Sequence, residues 1–369
     1  MNWDTERNRL PLCRTETYLM SAAAGILHPD ALEVSKNFLD QLHQQGDKCW
    51  ELNVVAMDEV RVLAAQLLNS KPEEICFVSS SSMAFSLAAQ LLKNKGHRKF
   101  FSFREEFPTS TLPFINAGLE PEFATTDGFS HDWNQILKSH DEKSPIVLSS
   151  VESLTGFSHP IEVVNSFASE KGVPLLVNAT QSLGVIPLDA SKIPFVCASI
   201  HKWLMSGFGL SIFKVRQDYL DDPLPVYGWL SQKDPWKFFE HKVEPLREAR
   251  VFELGCPALL QIFSLGAVLK WIQKMGGVSA IWSRVKELVE YTYSRSIELG
   301  LSPRHLFPTE NRSSLIFFPV NDVGAAEKSL ADQGIYVSAR SENLRVAIHW
   351  YNNKDDIDRF LAAYSKLIK

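Results

Sequence analysis

The chain is 369 residues long, 45% hydrophobic and 22% charged, with a formal net charge of −5. That length suits one large domain with a smaller companion, and the charge leaves no basic footprint for nucleic acid or an anionic membrane. Apolar runs such as Val173–Val177 are too short to span a bilayer, Met1–Arg9 has no apolar signal core, and five scattered cysteines (Cys13, Cys49, Cys76, Cys197, Cys256) form no C-x-x-C pair; a reduced cytoplasmic protein with neither disulfide framework nor metal site is expected.

Short apolar runs alternate with amphipathic stretches. Glu74–Ser79 reads as a strand and about Ser82 to Lys93 as a helix with Ala, Leu and Phe on one face. Lys99–Phe103 and Pro145–Ser150 read as strands, Ile161–Lys171 as a helix, and Val173–Asn178, Phe195–Ser199 and Leu210–Val215 as further strands. Continuous apolar strands separated by helices indicate an α/β fold, a mostly parallel sheet covered on both faces. Past about Pro257 the pattern changes. Two long helices, about Ala258–Lys274 and Val278–Leu299, precede Ser314–Pro319 (strand), Val323–Gln333 (helix), Ile335–Ser338 and Leu344–Trp350 (strands) and Lys354–Ile368 (helix). We therefore expect a large domain over 18–256 and a smaller α+β domain over 257–369, with residues 1–17 packing on the latter.

In open parallel sheets ligands sit outside the carboxyl ends of the strands, so the residues ending these strands come first. Ser199-Ile200-His201-Lys202 ends one strand, and Gly207-Phe208-Gly209 follows. A partly desolvated lysine there has a lowered pKa and a nucleophilic amine, and the glycines let backbone approach a ligand closely. A bare His-Lys dipeptide is more often a surface feature. Asn178-Ala179-Thr180-Gln181 ends another strand; alone, it reads equally well as a helix cap. Ser79-Ser80-Ser81-Ser82 runs from strand into helix, where hydroxyls and free amides make either a phosphate site or simple capping. Phe107, after Lys99–Phe103, could lie flat on a ring, although an isolated Phe is usually core. A lysine, a phosphate site, a flat partner and a group for a ring nitrogen are what a protein must supply to pyridoxal 5′-phosphate (PLP).

Val177–Phe213 resembles the lysine region of the class V aminotransferases, the cysteine-desulfurase-like group of fold-type-I PLP enzymes. Similar segments recur in order: Tyr18–Gly25; Glu106–Phe114, in the phenylalanine-bearing form of epimerase-like and kynureninase-like members; Ser153-Leu154-Thr155-Gly156; Tyr227-Gly228-Trp229 with Arg250–Pro257; and Leu344–Ile357. The resemblance implies that Lys202 carries the cofactor as an imine and later shuttles a proton. It places Ser81, Ser82, Ser199 and His201 on the phosphate, Phe107 on the ring face, Asn178 at the ring nitrogen and Gln181 at the ring oxygen. Arg345 would clamp the substrate carboxylate, a role suited to a guanidinium's parallel donors, with Ser153 and Trp229 also on the substrate side. Gly255 and Cys256 would reach the cofactor of a partner subunit in a homodimer.

Three departures qualify that picture. The family's usual aspartate at the ring nitrogen is Asn178, which adds no charge to hold a proton there. Cys256 stands where a threonine is expected, and no cysteine lies between residues 257 and 369, where desulfurases of the family carry their nucleophile. The expectation is a PLP enzyme acting on an amino acid or related amine, by transamination, elimination or racemisation. The competing reading, kept open by Asn178, is a protein of this fold with weakened catalysis and a binding or regulatory role.

Overall fold

Strands with no polar face must be covered on both sides, and the central strands of this protein meet that condition. In a computed structural model describing residues 2–124, 131–140, 143–221, 223–237 and 241–368, twelve strands are seen: β1 (Thr17–Tyr18), β2 (Ile75–Val78), β3 (Lys99–Phe103), β4 (Glu120–Ala124), β5 (Ile146–Ser149), β6 (Leu175–Asn178), β7 (Phe195–Ser199), β8 (Ser211–Val215), β9 (Leu315–Pro319), β10 (Ile335–Tyr336), β11 (Ser338–Arg340) and β12 (Asn343–Ala347). Seven form the large sheet in the order β2-β8-β7-β6-β5-β3-β4. The pairs from β7 through β4 are parallel, while β8 runs antiparallel to both β7 and β2. Every residue of β2, β5, β6, β7 and β8 is buried.

The expected large-sheet strands all occur, with ends trimmed by a residue or two. β4 was not expected. Its sequence, Glu-Pro-Glu-Phe-Ala, carries a proline and two carboxylates, which suits an edge strand, and it pairs with β3 alone. The helix Pro108–Asn116 was also missed; Pro108 opens it and Pro113 lies inside it. Helices Pro29–Gln45 and Trp50–Leu67 pack against helix Leu259–Lys274, through an edge-to-face contact of Phe38 with Phe263 and the close approach of Gly266 to Val60.

The expected strand Ile335–Ser338 is divided between β10, which pairs with β1, and β11, which joins a three-stranded antiparallel sheet in the order β11-β12-β9. The segment 348–350 leaves the strand, so Arg345 stands inside β12. The N-terminal segment meets the C-terminal one: Arg7 pairs with Asp356 at 2.8 Å, and Trp3 lies 6.2 Å from Trp350 between ring centres. Among the described residues, no helix is long and apolar enough to cross a membrane.

Candidate active site

β2, β3, β5, β6 and β7 all point their carboxyl ends to the same edge of the large sheet, because the one reversed strand, β8, lies between two that agree. The residues just past those ends therefore share a rim: Ser80–Ser82 after β2, Glu106–Phe107 after β3, Ser150–Ser153 after β5, Asn178–Gln181 at β6, and Ser199–Lys202 at β7.

Lys202 sits in the turn after β7, its Nζ 5.9 Å from the centre of the Phe107 ring. Burial first, then the positive charges of Arg345 and Arg340, lower its pKa to about 8. The turn is fixed by Gly25, whose amide donates to the carbonyl of His201 at 2.8 Å. A β-carbon on Gly25 would collide with the Lys202 carbonyl, so the position requires glycine for closeness of approach. His201 stacks on Phe208 with ring centres 4.9 Å apart. Burial and the nearby Lys202 lower its pKa to about 4, so the imidazole is neutral at pH 7.

Beside the lysine is a hydroxyl cluster. Ser81 opens the helix Ser81–Asn94, which Ser80 caps by accepting from the Met83 amide. The Ser199 hydroxyl lies 3.2 Å from that of Ser81 and 3.1 Å from that of Ser211, and Ser82 lies 3.1 Å from Thr109. Hydroxyls around a helix N-terminus fit an anion.

Two buried amides complete this side of the rim. The Thr180 amide donates to Asn178 Oδ1 at 3.1 Å, and Asn178 Nδ2 donates to Ser110 Oγ at 3.0 Å. The Trp203 indole, which can only donate, holds Gln181 Oε1 at 3.1 Å, while Gln181 Nε2 donates to the Ala22 carbonyl at 3.2 Å. Each amide thus uses its oxygen and one of its two N–H groups in these bonds. Glu106, next to Phe107, is buried and accepts from the amide and hydroxyl of Ser149. Burial, working against those hydrogen bonds, raises its carboxyl to about 7.

Arg345 reaches this rim from the small sheet. Its Nη1 donates to the Ser153 carbonyl at 3.2 Å, while its Nε and Nη2, and the Ser153 hydroxyl, are buried without partners. Burial, followed by the charge of Arg340, lowers its pKa to about 9. The turn carrying Ser153 is anchored by buried Glu152, whose Oε1 lies 2.9 Å from His131 Nε2 and 3.1 Å from His159 Nε2, and whose other oxygen takes the Thr155 hydroxyl. Burial raises that carboxyl, but the hydrogen bonds and charge of the two histidines outweigh it and hold it well below the carboxylate range. His131, Glu152 and His159 offer ligand atoms within 4.8 Å of one another, a metal-capable set where the sequence suggested none. Their separation in sequence conceals it.

Gly255 and Cys256 line a cavity together with Ser79 and Gly209. Gly255 faces the Trp229 indole, and Cys256 is exposed. Thr109, Ser110, Trp203 and Ser211 lie inside segments that carry the resemblance and Ser80 inside the serine run, but the sequence does not single them out as site residues, and Arg340 lies in none of those segments.

The family model for class V aminotransferases matches residues 17–360. The chain is 23% identical over 373 residues to an uncharacterized aminotransferase, YcbU, of Bacillus subtilis (95% of this chain, 94% of that protein). It is 22% identical over 396 residues to a probable cysteine desulfurase of Pyrococcus abyssi (98% and 97%). In fold it is similar to the cysteine desulfurase of Thermococcus onnurineus, at a TM-score of 0.88 and 20% identity, covering 99% of this chain and 97% of that one. The cystine C-S lyase C-DES, in complex with cysteine persulfide, superposes at a TM-score of 0.87 and 19% identity, covering 98% and 100%. A match of this extent, over a fold-type-I sheet with Lys202 at its rim, shows that the chain belongs to the class V aminotransferase family, a family of PLP-dependent enzymes.

Proposed function

We propose that this enzyme acts on an amino acid, with Lys202 holding the cofactor and Arg345 the substrate's α-carboxylate. The residues at the rim fit PLP. The hydroxyls of Ser81, Ser82 and Ser199, with neutral His201, suit its phosphate, and Phe107 offers a ring face beside the lysine. The spare N–H of Gln181 suits the ring oxygen and that of Asn178 the ring nitrogen. PLP, when bound, supplies an electron sink for the bond that breaks. The chain's own contribution is an amine at Lys202 Nζ that is easily deprotonated near pH 8, able to attack an aldehyde and then carry a proton.

The observation that carries the reading is Arg345, buried with two unpartnered donors beside the unpartnered Ser153 hydroxyl. A buried guanidinium without an acidic partner is costly unless a ligand supplies the anion, and a carboxylate matches two parallel N–H groups. The complete set argues for catalysis over a purely binding role. Five free cysteines, none between residues 257 and 369, argue for aminotransfer, elimination or racemisation over desulfuration, and for a reducing, cytoplasmic setting. We further propose a homodimer in which Trp229, Gly255 and Cys256 approach the partner's site. Supporting it are exposed apolar side chains Leu52, Val55 and Trp236 near a cavity of about 630 Å³ lined by Trp50, Trp236 and Gly255.

The test is reconstitution with PLP followed by borohydride. A visible band, fixed covalently on Lys202 and altered by amino acids, is expected, with keto acid and sulfide assayed separately. No band, or an adduct on another lysine, overturns the reading.

A further inference from the structure

Arg340 is absent from every motif the sequence displays, yet the register of the small sheet brings it to the site. β11 and β12 pair Ser338 with Arg345 and Arg340 with Asn343. Side chains alternate along a strand, so Ser338, Arg340, Asn343 and Arg345 share one face of this hairpin. Arg340 is then the diagonal neighbour of Arg345, at a spacing of about 7–8 Å between such positions, within reach of long side chains. The charge of Arg340 is felt at both Arg345 and Lys202, where it lowers each pKa.

Among the described residues, neither guanidinium has an acidic partner. The hydrogen bond formed by the Arg340 side chain runs from Nη1 to the carbonyl of its own neighbour Ala339, at 2.7 Å. Glu327 accepts the Ala339 amide at 2.8 Å. Arg345 keeps Nε and Nη2 unpartnered in the interior. Two like charges on one face of a two-stranded pairing repel, and one monovalent carboxylate on Arg345 leaves Arg340 uncompensated. Arg340 is exposed and tied only to its own backbone, so it can swing to meet a second group.

We propose that the substrate is an amino acid with an anionic side chain, its α-carboxylate on Arg345 and its second anionic group on Arg340. This rests on the reading of Arg345 as the α-carboxylate clamp. It makes Arg340 a specificity-determining residue: neutral amino acids would satisfy one arginine, acidic ones both. The shared chemistry is a side-chain anion, and carboxylate and phosphate are separated by the choice of probe.

The experiment is calorimetric and spectral titration of the PLP-loaded protein with L-aspartate, L-glutamate and O-phospho-L-serine, against L-asparagine, L-glutamine and L-alanine. At least one anionic probe should bind about tenfold or more tightly than its neutral counterpart, the size of one charge-assisted hydrogen bond. Arg340→Gln should abolish that preference and leave affinity for L-alanine within about twofold. Which probe is favoured tells a carboxylate from a phosphate. Equal binding of neutral and anionic probes overturns the inference and leaves the proposed function standing. So does an Arg340→Gln protein that loses L-alanine and the anionic probes equally, since Arg340 would then serve the α-carboxylate. A loaded protein that responds to no amino acid overturns both.

Discussion

Replacing Lys202 by methionine should stabilise the cofactor-free protein. Methionine keeps much of the stem's length and apolar packing but removes the amine. Burial and the charges of Arg345 and Arg340 bring the folded-state pKa from an ordinary value of 10.5 to about 8. At roughly 1.4 kcal/mol per pKa unit that gap corresponds to about 3 kcal/mol. Below pH 8 the amine is protonated in both states, so the full cost of holding an ammonium in the site is present. Between pH 8 and 10.5 the folded protein has released the proton and the unfolded chain has not. Stability rises with pH wherever the unfolded state binds more protons, so the wild type recovers over that interval. Lys202→Met should therefore gain about 1–3 kcal/mol at pH 7, and the advantage should shrink toward pH 10. Urea unfolding followed by tryptophan fluorescence at pH 7 and pH 9.5 measures both. A variant no more stable than wild type at pH 7, or an advantage unchanged between the two pH values, would refute the account of Lys202 as a strained, desolvated amine.

Arg345→Ala should lower amino-acid affinity about tenfold or more while leaving PLP content unchanged, since one charge-assisted hydrogen bond is worth roughly 1.5–3 kcal/mol; equal loss of both in equilibrium dialysis would make Arg345 a structural residue. Asn178→Asp should be accommodated, because the Thr180 amide still finds an oxygen and the Ser110 hydroxyl can turn to donate, giving up its bond to Glu106. The new charge should raise the pKa of a nearby ring nitrogen, which shows as a changed pH dependence of the cofactor's absorbance; superimposable titrations from pH 6 to 9 count against residue 178 at the ring. Gly25→Ala should cost about 1–3 kcal/mol and loosen the cofactor, because the added methyl meets the Lys202 carbonyl. Unfolding midpoints and PLP retention report it, and wild-type behaviour in both would show that the close approach is unimportant.

How much could be read from the sequence depended on how each residue announces itself. Lys202, Asn178, Gln181 and Ser199 end fully apolar strands, and that change from apolar to polar is visible in one dimension. β4 was hidden because an edge strand tolerates the proline and carboxylates that argue against a central one. Arg340 was hidden for a different reason. The run Ile335–Ser338 looks like one strand, but it splits between two sheets, and only the β11–β12 register places residue 340 beside residue 345. The His131–Glu152–His159 group depends on His131 meeting the turn that carries both Glu152 and His159, for which no local pattern exists. Periodicity fixes which face a residue takes within its own element; it does not say which elements meet.

Charge gives the clearest link between fold and function here. The chain as a whole is acidic, yet among the described residues the cationic groups of the rim, Lys202, Arg340 and Arg345, form no ion pair with a carboxylate. Two buried acids of the rim are already committed, Glu152 to His131, His159 and Thr155, and Glu106 to Ser149. Burial holds the carboxyl of Glu106 near 7, so at neutral pH it supplies only part of a charge. A site that gathers positive charge at its buried edge and withholds the matching negative charge sacrifices stability, as the depressed pKa values of Lys202 and Arg345 express. On the reading proposed above, the cost is recovered when anions enter, one as a phosphate at the Ser81–Ser199 hydroxyls and others as the acidic groups of a substrate. The same desolvation that weakens the empty protein thus strengthens each of those contacts, because a low-dielectric site amplifies attraction and repulsion alike.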